Sequence, residues 1–322
     1  MSKKIIVTGA AGFIGCNVVK ELNLRGHTNL LLVDSLGMNE KWKNLVGLKF
    51  DDIISPHQFL EIVKNEGSID AGVCIHLGAC SDTTQRDADY LLENNFHYTV
   101  SLCKWSLSHN VRFVYASSAA TYGDGSLGYE DRDEITQKLR PLNMYGYSKH
   151  MFDLWALSHN LFNTITGLKY FNVYGPYEDH KEDMRSLVQK AYHQVKRLGY
   201  IELFKSYHAG YKDGEQKRDF IYIRDAVEVT LHFALHSKAG GLFNCGTGQA
   251  RTWLDLAHAL FTSMECSPDI RFIEMPDALR NKYQYFTQAN AAKLREAGYD
   301  KPFTSLEEGV DDYVKSYLKN LT

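Results

Sequence analysis

Residues 5–15 read IIVTGAAGFIG. Three β-branched apolar residues lead into Gly9, and Gly12 and Gly15 follow at intervals of three. The pattern predicts a buried strand, a turn too tight for side chains, and a helix starting near Phe13. Glycines at those places allow the sharp turn, the approach of bare backbone to a phosphate, and close packing of helix on strand. The first turn of the helix offers unpaired N–H groups to a pyrophosphate. Three glycines alone are a weak signal; the strand before them and the helix after them give this one its weight.

Working outward, the same rhythm repeats. Strands are predicted at 4–8, 29–34, 48–52, 71–77, 112–117 and 166–172, with helices at 13–25, 57–65, 88–110 and 148–163. Alternation of this kind makes a parallel sheet covered on both faces, so the fold class is α/β with a doubly wound sheet. After residue 172 the rhythm changes. Short strands IELF, RDFIYI, GLFNC and IRFIEM mix with helices at 226–237, 253–264 and 289–297. We expect a dinucleotide-binding domain over 1–172, a smaller mixed α/β, mostly substrate-binding region over 173–322, and a return of the chain to the first domain around 218–250. Residues 205–218, KSYHAGYKDGEQKR, read as a long loop.

The second strand ends in Asp34, 19 residues after Gly15. A carboxylate there suits the ribose hydroxyls of a bound dinucleotide and disfavours a 2′-phosphate. Lys41 and Lys43 follow closely and can neutralise that phosphate, or can simply face solvent. The fourth strand ends in Leu77, Gly78, Ala79, Cys80 and Ser81, small residues where the chain passes near the cofactor; Asn95 lies on the next helix.

Residues 143–150 read NMYGYSKH. On a helix, side chains four apart share a face and those two apart do not, so spacing pairs Tyr145, not Tyr147, with Lys149. A free tyrosine holds its proton to about pH 10, and a neighbouring ammonium favours the phenolate. Tyr147 is expected to pack or to support the cofactor side. Ser118, at the end of the fifth strand, can orient the hydroxyl that Tyr145 would deprotonate. Arg218 opens a strand and can grip a pyrophosphate, or pair with Asp219 or Asp225. Tyr283 can stack on a ligand or fill the core.

The chain has 322 residues and a formal net charge of -3, which gives no footprint for nucleic acid. No apolar run approaches a membrane span. Six scattered cysteines without a CxxC fit reduced thiols in a cytoplasmic protein and no metal site.

The glycine turn, the strand-end serine, the YxxxK spacing and KYFNVYGP, in that order, resemble the extended short-chain dehydrogenase/reductase superfamily, its NAD-dependent epimerase/dehydratase group with a Rossmann-like sheet. GACSDTT, YASSAATYG, YFNVYGPYEDHK, KRDFIYIRD, FNCGTG and KYQYFTQA carry the likeness nearly end to end. The branch it looks most like inverts C6 of ADP-D-glycero-D-manno-heptose by transient oxidation with NADP; another sugar-nucleotide epimerase, such as a 4-epimerase, is the alternative. The resemblance implies NADP, with NAD possible, held by Gly9, Gly12, Phe13, Ile14, Gly15, Asp34, Ser35, Lys41, the 77–81 segment, Asn95, Lys149 and Val173. It implies that Tyr145 and Lys149 work with a second acid/base, Lys181, which also touches the cofactor. An inverted carbinol presents its hydroxyl on the other side, where such a second group serves. Substrate positions fall on Ser118, Asn172, Asp183, Lys190, Phe204, Arg218 and Tyr283. Asp183 stands where relatives carry a small hydroxyl residue and would need a partner, for which Arg185 is at hand. Lys190 stands where they tend to have His, and Pro56 where some supply a phosphate-binding lysine. The resemblance also implies a homo-oligomer, commonly a pentamer.

Overall fold

The structure is a computed structural model that describes residues 3–280 and 283–321. Strand β1 (Lys4–Thr8) is an inner strand of a seven-stranded sheet. On one side it pairs with β2 (Leu30–Val33), then β3 (Asp52–Ile54). On the other it pairs with β4 (Ala71–His76), followed by β5 (Arg112–Ser118) and β6 (Thr166–Tyr170). Every pairing is parallel, and β1 and β2 are buried along nearly their whole length. That explains their unbroken apolar runs: each face is covered by helices.

The chain reverses its direction of travel across the sheet between β1 and β4, which opens a crevice at their carboxyl ends. Gly9 and Gly78 face each other there. Gly9 has φ +68, and a Cβ on it would lie 2.7 Å from Gly78 N. A Cβ on Gly15 would lie 2.0 Å from Gly9 O, so the helix Phe13–Leu24 can start only against bare backbone.

Several elements differ from the sequence expectation. The third strand lies a few residues later than 48–52, because Asn23 binds both backbone groups of Lys49 (2.6 and 2.8 Å) and takes it out of the ladder. Residues 88–110 are helical but broken by a wider turn at Leu92–His97. The helix expected from 148 starts at Met144, because Asn143 caps it by accepting from Gly146 N at 2.8 Å. The run 166–172 splits: Phe171 N bonds Cys245 O, and β7 (Asn172–Tyr174) leaves for another sheet. GLFNC, inside the 218–250 stretch, is β10 (Gly241–Cys245), edge partner of β6 in the main sheet.

Beyond the main sheet, β9 (Lys217–Tyr222) pairs with β7 and β11 (Ala250–Thr252), and β8 (Ile201–Phe204) pairs with β12 (Ile270–Ile273). Helices Leu187–Leu198, Trp253–Met264 and Leu306–Ser316 pack together beside them. Residues 205–216 form the expected loop, held by rings: His208 and Tyr211 lie 5.1 and 5.6 Å from Tyr285. Among the described residues no helix is long and apolar enough to cross a membrane.

Candidate active site

A cleft of about 1080 Å³ runs over the carboxyl ends of the central strands and continues toward β8 and β12. Gly9, Gly12, Phe13, Ile14 and Gly15 form its floor. Asp34, Ser35 and Lys41 stand at one end, with Pro56 beside them. The Asp34 carboxylate accepts from Ala11 N and Ser35 N, both at 2.7 Å, and from Lys41 Nζ at 2.6 Å. One side chain thus braces the glycine turn and holds a cation at the rim. Lys43 instead pairs with Glu40, well exposed.

Leu77, Gly78, Ala79, Cys80 and Ser81 line the wall after β4. Asn95 does not reach the cleft. It is buried, bonding both backbone groups of Cys80 (2.9 and 3.0 Å) and Ser148 Oγ at 3.0 Å. Ser148 Oγ in turn donates to Tyr145 O at 2.7 Å. A second chain of bonds runs beneath: Gly78 N to Thr8 Oγ1, Thr8 Oγ1 with His76 Nδ1, His76 Nε2 with Thr99 Oγ1, and Thr99 Oγ1 to Asn95 O. Burial and the nearby Lys149 push His76 down to about 3, so it is neutral in this chain of bonds.

The opposite wall carries Ser118 and Tyr145. Ser118 Oγ accepts from Ala120 N at 3.1 Å, which frees its proton for Tyr145. Desolvation raises the Tyr145 phenol, and the bond with Ser118 pulls it back down. Lys149 lies behind the wall, 5% exposed. Burial lowers it to about 8, against the pull of Asp153 and Cys80 toward higher values. Tyr147 is a correction: at 47% exposure it faces solvent and neither packs nor supports the cofactor side. It points away because the helix starts early enough to put positions 145 and 149 on the inner face.

Beneath this wall the sequence reading missed a buried pair. Lys169 Nζ meets Asp153 Oδ2 at 2.7 Å with both side chains closed to solvent. Tyr115 and Ser117 each donate to Asp153 at 2.8 Å, and Lys169 also donates to Thr121.

Val173, Lys181 and His180 close the cleft from the third side. Lys181 Nζ stands 5.1 Å from the Phe13 ring centre. Burial lowers its pKa, Glu178 raises it and Lys190 lowers it. At the far end Asn172, Lys190, Phe204 and Tyr283 line the cleft, joined by Trp253, which no sequence motif marks. Trp253 Nε1 donates to Tyr283 OH at 2.9 Å. Arg218 does not itself line the cleft: it is buried beside two residues that do, 5.1 Å from the Tyr283 ring and 5.7 Å from the Trp253 ring. Among the described residues it makes no ion pair: Asp219 binds Thr247, Gly248 and Ala289, and Asp225 binds Thr304. Desolvation lowers its pKa.

Asp183 is exposed and does not line the cleft. Its expected partner is engaged elsewhere: Arg185 Nε donates to Glu182 O at 2.6 Å. Lys190 Nζ reaches only the Asp183 carbonyl, at 3.1 Å.

The model of the NAD dependent epimerase/dehydratase family matches residues 5–246. A protein of Nitratidesulfovibrio vulgaris named ADP-L-glycero-D-manno-heptose-6-epimerase is 50% identical over 315 residues, covering 97% of each chain. One of the same name from Fusobacterium nucleatum is 47% identical over 324 residues, covering 98% of each. The crystal structure of the Helicobacter pylori ADP-L-glycero-D-manno-heptose-6-epimerase superposes with a TM-score of 0.81 at 28% identity, over 98% of this chain and 96% of that one.

Proposed function

The chain belongs to the NAD dependent epimerase/dehydratase family, and on that premise we propose that it inverts C6 of ADP-D-glycero-D-manno-heptose to the L-glycero form, using bound NADP. The observation that carries this reading is that one cleft holds two acid/base groups on separate elements, Tyr145 and Lys181. A simple dehydrogenase needs one.

The residues fit a dinucleotide. The crossing of Gly9 and Gly78 leaves no room for a Cβ, and Asp34 stands at the ribose end with Lys41 beside it. Bound there, an oxidised nicotinamide dinucleotide supplies a hydride acceptor that later gives the hydride back. Lys41 is the residue we assign to a 2′-phosphate and so to NADP over NAD.

Ser118 orients the C6 hydroxyl, and Tyr145 takes its proton. Lys149, behind Tyr145, stabilises the phenolate when it is an ammonium. A transient 6-keto sugar presents either face after rotation, and Lys181 handles the proton on the inverted hydroxyl. Arg218, desolvated between Tyr283 and Trp253 and lacking a carboxylate, suits the substrate pyrophosphate.

The test is to incubate the purified protein with ADP-D-glycero-D-manno-heptose. The L-glycero isomer should form with no net consumption of cofactor and no solvent deuterium at C6. Deuterium at C6, or turnover of UDP-glucose in place of the heptose, would overturn the reading. Cofactor released on denaturation should be NADP. We also propose a homo-oligomer, to be checked by light scattering on a sizing column.

A further inference from the structure

Tyr145 rides on a regular helix, but Lys181 does not. Its segment contains two non-glycine residues with positive φ: Tyr177 at 74, and Glu182, next to the lysine, at φ 49 and ψ -120. Such conformations cost energy and persist only where the surroundings over-determine them.

The surroundings do so here. Glu178 is completely buried. Its carboxylate accepts from Ser186 N at 2.6 Å, from Ser186 Oγ, and from Tyr313 OH at 3.1 Å. Its carbonyl accepts from Lys181 N at 3.0 Å. Asp179 accepts from Tyr317 OH at 2.6 Å and from Gln189. From the other side, Asn17 binds Pro176 O at 3.1 Å and Asn44 binds Tyr177 O at 3.3 Å. Tyr313 lies on the helix Leu306–Ser316, far from the cleft in sequence, and neither it nor Glu178 lines the cleft.

We propose that Glu178 is a positioning residue for Lys181: tied to Ser186 and to Tyr313, it fixes the strained segment so that the lysine stands over the glycine turn. The proposal rests on Lys181 as the second acid/base. The charged and titratable groups around that lysine are the Glu178 carboxylate, the Lys190 ammonium and the His180 imidazole. Burial holds Glu178 above the usual carboxylate range, against the pull of the Lys181 charge and of its hydrogen bonds. Ionised, it both aims the lysine and favours its charged form.

Two readouts test this, one independent of any sugar. The first is amine-labelling of Lys181 against pH, followed by mass spectrometry on the whole protein. In Glu178→Gln the labelling midpoint should fall by about one pH unit, since an opposite charge has gone. The second is turnover of the heptose substrate. Misaiming a reacting group should cut kcat about tenfold to a hundredfold, with KM within about twofold. Tyr313→Phe keeps the carboxylate and removes only its outer tie; it should lower kcat several-fold, and it serves if Glu178→Gln does not fold. A labelling midpoint that stays in place overturns the proposal, as does an unchanged kcat in either variant. If the heptose is not turned over even by the parent protein, the labelling arm still decides the positioning role while the functional reading fails separately.

Discussion

Lys41 Nζ sits 2.6 Å from Asp34 Oδ1 at the outer end of the cleft, the aspartate nearly closed to solvent and the lysine partly open. The carboxylate alone would repel a 2′-phosphate; with the ammonium beside it the charge is balanced. Lys41→Ala should therefore weaken NADP binding about tenfold to a hundredfold, the worth of a hydrogen bond between charged groups. NAD should be affected by less than about threefold, because its ribose diol needs only the acceptor. Calorimetry on cofactor-stripped protein measures both, and equal losses would remove Lys41 from the coenzyme preference.

The two groups we assign to proton handling should fail in the same way. Tyr145→Phe and Lys181→Met should each lower kcat by about a hundredfold to ten-thousandfold, the range for loss of a general acid or base. Binding of the sugar nucleotide should stay within a few-fold, since we assign the pyrophosphate to Arg218 and not to either of them. Arg218→Met should do the reverse and raise KM mainly. Steady-state kinetics with the heptose substrate separate the two patterns.

Much of this was legible in the sequence because it depends on local geometry. Gly9, Gly12 and Gly15, set between an apolar run and a helical pattern, announce a strand, turn and helix, and Asp34 follows at the end of the next strand. Tyr145 and Lys149 are four apart, and a helix turns that spacing into a shared face. What the sequence hid is what depends on long-range closure. Lys169 opens KYFNVYGP with nothing nearby in sequence to name its partner, yet it meets Asp153 inside the protein. Trp253 reaches the cleft only because β9 brings β11 and the following helix beside it. Glu178 and Tyr313 are 135 residues apart. The helix at 144 was missed at its start because the cap, Asn143, signals a boundary only once the helix direction is known.

The Asp153–Lys169 pair carries a stability prediction. Both groups are closed to solvent and in direct contact, while at longer range Asp153 also acts on Lys149 and Lys169 on Asp131. Asp153→Ala or Lys169→Met leaves one buried charge uncompensated and should cost about 3–5 kcal/mol. The double variant Asp153→Leu with Lys169→Met should cost clearly less than the sum, because the two charges in direct contact leave together. Urea unfolding of the four proteins checks this, and additive losses would mean the pair is not coupled.

His76 gives the pH dependence of stability. Burial, with Lys149 nearby, lowers it to about 3, against an ordinary value of 6.5. Between those values the unfolded chain binds a proton that the folded chain refuses. Stability from this group is therefore complete above about pH 6.5 and is lost as pH falls toward 3. His150 and His180, each lowered by burial to about 4, act in the same direction. Asp131, Asp219, Asp225 and Glu178, raised by burial, act in the opposite one. A difference measurement isolates the histidine. His76→Gln keeps a polar group between Thr8 and Thr99 but cannot take up a proton. From pH 7 to pH 5 the parent should lose about 2 kcal/mol more stability than the variant, the linkage value for one histidine held neutral. Parallel losses in unfolding midpoint across that range would show that His76 is protonated in the folded protein.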